Sequence, residues 1–472
     1  MEEAKVLFVG AGRHQRRALV RLRELGVQVV AVDRNPDAPG LAIADVGEVV
    51  DLLDVPAVVE AGRRHCVDAV MTYAADRAVP VVAAVAEALD LRGIGTETAH
   101  LMTNKIAMRR QLADAGVPQP RFAAVRTLQE ARAAAGAVGF PAVLKPADSA
   151  GQRGLFLCES PDDVERHLHA SLVQSTEQEA ILESYHEGKE VNGLLVLRDG
   201  EPTVVTLSDR RRPPGRGFGV AIAHVYPSTL FGDAIEEVRR TGVHTVKALG
   251  LREGIAYPQV LWSEDGVARL IEVAARIPAG QMDSVARYGV GVDLIDIALL
   301  QALGRPVPDE MVAAKMEQPM AISFLTAEPG PLPTGKLVRF SGLERVRAFP
   351  GVVEAELYFQ DGETIRPVQL DGDRRGYVIA LGGTNLEAVE RAESAARLLD
   401  VEVEAARAAR SRWRTTASCS RPRTRAGTAG RPSARSRSRG ISTCGTTSIS
   451  RSTRRSRWPR SRLSWAPELR TS

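Results

Sequence analysis

The sequence predicts an α/β protein in several parts: a doubly wound parallel domain first, an α+β middle, and a small α+β segment near the end. Three observations predict it. The chain has 472 residues, 44% of them hydrophobic and 25% charged, which is too long for one small core. Its opening alternates apolar strand-like runs with helical ones to about residue 95, the pattern of parallel strands joined by helices. Later apolar runs alternate and are joined by turn residues, as in "LLVLRDGEPTVV", which reads as antiparallel pairing.

The first segment, "AKVLFVGAGRHQRRALVRLRELGVQVVAVDRNP", reads as strand, glycine turn, helix and strand. Gly10 and Gly12 supply G-x-G, and Asp33 closes the second strand near where an NAD-binding acid would sit. Gln15 occupies the third glycine position, and "RHQRR" crowds the helix start. A Rossmann-like domain without a dinucleotide is therefore expected over 1–97. "TETAHLMTNKIAMRRQLADAG" then reads as one polar helix, stopped by Gly116, Pro118 and Pro120. "TLQEARAAAGAVG" is a second helix. "PAVLKPADSAGQRGL" is an apolar strand carrying Lys145, followed by a small glycine-punctuated loop. The Gly/Pro/Arg run over 211–219 is expected as a mobile lid. "GIAYPQVLWSEDGVARLIEVAARIPAG" is a hairpin turning at Glu264-Asp265-Gly266. These elements set the expected boundaries at 98–319 for the middle domain and 320–404 for the small last one.

Charge divides the chain. Residues 1–406 hold 44 Lys and Arg against 57 Asp and Glu, whereas the tail over 407–472 holds 18 Arg, no Lys and one acid, Glu468. The folded body is thus acidic, and the whole-chain net charge of +4 gives no reason to expect nucleic acid on it. The tail reads as a disordered basic arm or as a stretch translated in a shifted frame. Its abrupt compositional break favours the frame shift. Cys66 and Cys158 lack CxxC spacing, so neither a disulfide framework nor a zinc site is expected. No apolar run approaches the ~18 residues of a membrane span. The acidic start "MEEAKVLFVG" enters a strand at once, so a cytoplasmic protein without a leader is the expectation.

Four chemistry-bearing motifs occur in order. They are "TNKIAMRRQL" with Asn104 and Lys105; "AVLKPADSAGQRG" with Lys145 and the loop Ser149–Gly154; "ILESYHEGKEV" with Glu183, Tyr185 and Glu190; and the hairpin carrying Gln259, Glu272 and Arg276. A lysine on an apolar strand needs a negative partner. A loop of small residues lets backbone N–H groups approach phosphate oxygens, and no Gly-Lys-Ser/Thr follows to make it a Walker loop.

In this order and spacing, residues 1–320 resemble the ATP-grasp superfamily. The front resembles the domain preceding the grasp in biotin carboxylase and glycinamide-ribonucleotide-synthetase-type enzymes. Residues 320–404, with "GLERVRAFPGVVEAELYF" and "GGTNLEAVERAESAA", resemble the C-terminal domain of bacterial L-amino-acid ligases. The resemblance implies ATP as cofactor, with Lys105, Lys145, Ser149, Gly151 and Gly154 at its phosphates. It puts Glu183 and the chain near Tyr185 at the adenine edge and Glu190 at the ribose. It implies Mg²⁺, or Mn²⁺, on Glu272 and Gln259. Arg276, with Lys145, would be catalytic, steadying the acyl phosphate and the oxyanion. Gly280, Gln281 and His224 would contact substrate. Two positions depart from the family: Gln259 replaces a metal-binding carboxylate, and Ala274 replaces an asparagine.

The implied activity is an ATP-dependent carboxylate–amine ligase working through an acyl phosphate on an amino acid and a second amine, both small molecules. No membrane is implied, and a homodimer is compatible. The alternatives are a carboxylase or purine-pathway-type ligase, or a non-catalytic nucleotide-binding protein with a weakened metal site.

Overall fold

The computed structural model of the protein describes residues 4–213, 219–360 and 362–404. Residues 214–218 of the expected lid and the whole 407–472 tail lie outside the described residues. The first sheet contains β1 (Lys5–Val9), β2 (Gln28–Asp33), β3 (Val46–Val49) and β4 (Ala69–Met71), all parallel in the order β3-β2-β1-β4. Four of the five residues of β1 are buried, because helices cover both faces of a parallel sheet and leave no wet side.

The second sheet holds β5 (Phe122–Val125), β6 (Ala142–Pro146), β7 (Phe156–Cys158) and β8 (Ala180–Ser184), antiparallel in the order β5-β8-β6-β7. The helices Leu128–Val138 and Pro161–Leu172 pack on its apolar face.

The next strands are β9 (Gly188–Arg198), β10 (Glu201–Arg211), β11 (Ala223–Tyr226), β12 (Gly254–Ser263), β13 (Ala268–Ala274), β14 (Met320–Phe324), β15 (Gly335–Ser341), β16 (Val352–Leu357), β17 (Thr364–Ile365), β18 (Gly376–Leu381) and β19 (Asp400–Glu404). Eight of them form one antiparallel sheet, β13-β12-β9-β10-β11-β14-β18-β16, while β17-β15-β19 form a three-stranded one. The segment from residue 320 therefore continues the central sheet: β14 pairs with β11 and carries β18 and β16 with it.

The polar helix expected over 96–116 is two helices, Thr96–Thr103 and Lys105–Asp114, broken at Asn104. The break has a local cause. Asn104 is extended (φ −98°, ψ 111°), and its Oδ1 accepts from the N–H groups of Ile106 and Ala107 at 3.0 Å each. An asparagine that caps a helix cannot also sit inside one. Its Nδ2 donates to Glu177, which fixes the new helix start against the second sheet.

Candidate active site

The helix break puts Lys105 at the first turn of its helix, 8% exposed. Its Nζ donates to the carbonyl of Ser149 at 2.7 Å and stands 3.3 Å from Glu272 Oε1. One lysine thus joins the glycine loop to the hairpin that bears the expected metal carboxylate. The Lys105 N–H also donates to the Ala147 carbonyl, so helix and loop share a seam.

Lys145 lies on β6, 5% exposed, and its Nζ is 2.8 Å from Glu183 Oε2 on neighbouring β8. The other oxygen of Glu183 accepts from Nε of Arg109 at 2.8 Å. Burial by itself would push the Glu183 carboxyl up, but Arg109 and then Lys145 bring it down to about 2. Burial lowers Lys145 below the usual ammonium range, with Glu183 opposing. The negative partner that the sequence demanded for Lys145 is therefore in the protein itself. Glu183, expected at an adenine edge, has both carboxylate oxygens committed to cations.

Arg109 was not singled out in the sequence, yet it is fully buried and holds the site together. Besides Glu183 it donates to the Leu270 and Ile271 carbonyls, at 3.1 and 2.6 Å, directly before Glu272. No sequence signal marked it, because Arg109 stands beside Arg110 in a polar helix and only its burial tells the two apart.

Across the hairpin, Gln259 pairs in register with Glu272. Thirteen residues of separation become one cross-strand pair, which brings an amide-bearing and a carboxylate-bearing residue to adjacent positions. Two hard oxygen donors suit Mg²⁺, which takes its remaining ligands from water and phosphate. The glycine loop fits a phosphate: Ser149 is 7% exposed, its Oγ has no hydrogen-bond partner, and Gly151 and Gly154 adopt φ of +67° and +72°. A Cβ on Gly154 would stand 2.9 Å from Pro146. Asp148 fastens the base of the loop by accepting from the Thr176 N–H.

Glu190 on β9 is held by two arginines, Arg210 Nη1 at 2.6 Å and Arg212 Nε at 3.0 Å. The Tyr185 N–H donates to the Pro141 carbonyl at 3.0 Å. Arg276 leaves β13 and pairs with Asp76 of the first domain through both nitrogens, Nε at 2.7 Å and Nη2 at 2.6 Å. Burial raises the Asp76 carboxyl, but the adjacent Arg276 overrides it and holds the group below its ordinary range.

Beyond Arg276, Gly280 (φ +74°) faces a buried group: a Cβ there would lie 3.4 Å from Phe324, 3.6 Å from His224 Nε2 and 3.8 Å from Arg374. His224 is 4% exposed, and Asn192 Nδ2 donates to its Nδ1 at 3.0 Å. Burial, then Arg374 and Arg210, push its pKa well below the usual range. The Nε2 edge of the ring is the one that faces Gly280. Gln281 donates to the Tyr358 hydroxyl at 3.2 Å. Arg374 and Tyr358 come from the last segment; Tyr358 lies near the end of the run "GLERVRAFPGVVEAELYF", but neither residue was expected at the site.

At the other glycine turn, Asp33 accepts from the Ala11 N–H at 2.8 Å and the Asn35 N–H at 2.9 Å. Gln15 fills the third-glycine space and donates to the Tyr73 carbonyl. Asp33 thus closes the turn with both of its carboxylate oxygens.

Residues 104–310 match the family model for the carbamoyl-phosphate synthase L chain ATP binding domain. The formate-dependent phosphoribosylglycinamide formyltransferase of Ignicoccus hospitalis is 27% identical over 416 residues, covering 84% of this chain and 96% of that protein. The crystal structure of phosphoribosylglycinamide synthetase from Anaerococcus prevotii covers 85% of this chain and all of its own, with TM-score 0.68 and 17% identity. The chain belongs to the ATP-grasp superfamily, as an enzyme of the carboxylate–amine ligase class. Residues 330–404 match the family model for the L-amino acid ligase C-terminal domain 2. The crystal structure of the L-amino acid ligase from Bacillus licheniformis covers 86% of this chain and all of its own, with TM-score 0.74 and 20% identity.

Proposed function

We propose that the protein joins an amino-acid carboxylate to an amine, with MgATP converted to ADP. A carboxylate oxygen attacks the γ-phosphorus, the bond to ADP breaks, and the amine nitrogen then displaces phosphate from the acyl phosphate with loss of its proton. The observation that carries this reading is the single contact set of Lys105, which brings the phosphate-side loop and Glu272 together in one cleft. The protein's work is then positioning and charge stabilisation. Lys105 and the loop amides hold phosphate oxygens. Glu272 and the amide oxygen of Gln259 hold Mg²⁺, which neutralises phosphate charge when bound. Arg276 presents its guanidinium where acyl-phosphate charge develops, oriented by Asp76. The space between Gly280, His224 and Arg374 accepts the substrate.

The matched C-terminal segment favours amino-acid substrates. A second reading, a purine-pathway-type ligase acting on a phosphorylated glycinamide, is favoured by the relative matched over 84% of the chain. Among the described residues no helix is long and apolar enough to cross a membrane. The test is a coupled ADP-release screen over pairs of amino acids, run beside glycinamide ribonucleotide with formate, with Arg276→Ala as control. Release that depends on an amino-acid pair and vanishes in the control supports the first reading. Release with the ribonucleotide alone selects the second. Tight ATP binding without release under any condition rejects both.

A further inference from the structure

A pocket of about 700 Å³ lies where the first domain meets the central sheet. Its lining includes none of the four motifs except at its inner wall, which reaches Arg276 and its neighbours. Val79, Val82 and Ile94 line it from the first domain, and Ile255 and Val307 from the other side. Its charged groups are four arginines, Arg92, Arg198, Arg276 and Arg305, and three acids, Asp199, Glu201 and Glu253. Arg92 lies across the chain at Gly304 (φ +65°): a Cβ there would stand 2.9 Å from Arg92 Cγ and 3.1 Å from Nε. The absent side chain thus leaves room for Arg92 against the backbone next to Arg305.

Among the described residues the Arg92 and Arg305 side chains make no hydrogen bond or ion pair. Arg198 is pinned by Nη1, which donates to the Val307 carbonyl and to Asp309, yet its buried Nε has no partner. Gln301 is pinned by Nε2, which donates to the Leu197 carbonyl and to Glu253, while its Oε1 is buried without a partner. The acids on the wall are largely engaged: Glu253 also accepts from the Asp199 N–H, and Glu201 pairs with Lys247. Two free guanidinium groups, Arg92 and Arg305, therefore line the pocket together with one free carboxylate, Asp199.

We infer that this seam pocket is a second ligand site, for a small organic anion whose carboxylate or phosphate lies between Arg92 and Arg305 and whose apolar body packs on Val79, Val82 and Ile94. Guanidinium forks match both headgroups, and an apolar cleft with few convergent polar groups is the usual form of a small-molecule site. The ligand bridges two domains. It sits against the wall formed by Ala275, Arg276 and Ile277, next to the seam contacts Ala74 N–H to Ile277 carbonyl and Arg276 to Asp76. Binding would hold that seam shut, which couples the pocket to the active site.

The test uses the full chain with phenylacetate and phenyl phosphate as probes and benzyl alcohol as the neutral control, read by calorimetry and methyl-resolved NMR. Saturable binding of either anion is expected, with shifts at the methyls of Val79, Val82, Ile94, Ile255 and Val307, and the preferred probe identifies the headgroup. Affinity should fall at least about tenfold in Arg92→Ala/Arg305→Ala and largely return in Arg92→Lys/Arg305→Lys. Both arginines are exposed, so the variants should fold, and thermal unfolding checks this. Binding of neither anion by the folded wild type overturns the inference. So does equal binding of benzyl alcohol, unchanged affinity in the alanine pair, or shifts confined to other methyls.

Discussion

Arg276 and Asp76, 200 residues apart in sequence, meet in a two-pronged ion pair that joins the first domain to the end of the β12–β13 hairpin. A guanidinium held at two nitrogens has its plane fixed, so Asp76 sets where Arg276 presents its remaining N–H groups. Those groups include Nη1, which also donates to the Ile277 carbonyl. The first domain thus reaches the proposed active site through one carboxylate.

Asp76→Asn should therefore act on turnover more than on nucleotide binding. ADP release should fall about tenfold to a hundredfold with the KM for ATP nearly unchanged. Steady-state kinetics on folded protein check this. Unchanged kcat would show that Arg276 orients itself without Asp76.

The Lys145–Glu183–Arg109 cluster predicts a pH dependence. The folded carboxyl of Glu183 titrates at about 2, against an ordinary value of 4.5. A depressed carboxyl contributes stability that is fully present above about 4.5 and is lost as pH falls toward 2. Glu183→Gln should cost about 3 kcal/mol at neutral pH, because two buried cations lose their counter-charge. That gap from wild type should narrow between about 4.5 and 2. Urea unfolding of both proteins across this range is the measurement, and a gap independent of pH would rule the assignment out.

Gln259 offers an oxygen but no charge beside Glu272. Gln259→Glu should lower the Mg²⁺ concentration needed for half-maximal ADP release, by about tenfold. A magnesium titration reads it directly. An unchanged requirement would place the metal elsewhere.

Gly280→Ala tests the substrate space. The residue stands at φ +74°, and its Cβ would press into the gap between Phe324, His224 and Arg374. The left-handed conformation alone costs about 1 kcal/mol. Kinetics should show the KM for the carboxylate or amine substrate raised severalfold while that for ATP stays put. A rise confined to ATP would move the substrate elsewhere.

Asn104→Ala removes a cap with two acceptor contacts and should destabilise by about 1 kcal/mol. Because the cap aims Lys105, the KM for ATP should rise as well. Thermal unfolding and kinetics together separate the two effects. Lost stability with an unchanged KM would mean that Lys105 does not depend on the break.

Some of this was legible in the residues. "KVLFV" before a glycine turn gave a buried parallel strand, and the alternating runs around Glu264-Asp265-Gly266 gave the hairpin, because periodicity and turn chemistry are local. The break at Asn104 was missed: the helical pattern runs through it, and only the cap's competing hydrogen bonds interrupt it. The sheet that runs on past residue 320 was not visible either, since pairing of β11 with β14 joins strands about a hundred residues apart.

By itself the sequence determined the order of the four motifs, the demand of Lys145 for a counter-charge and the likeness to ATP-grasp enzymes. All of these follow from residue type and spacing along the chain. Only the tertiary structure decided which charges meet: Glu183 with Lys145 and Arg109, Lys105 with Glu272, Asp76 with Arg276. A charge needs its partner within a few ångströms, and what brings partners that close is sheet register and domain packing, which no local pattern encodes.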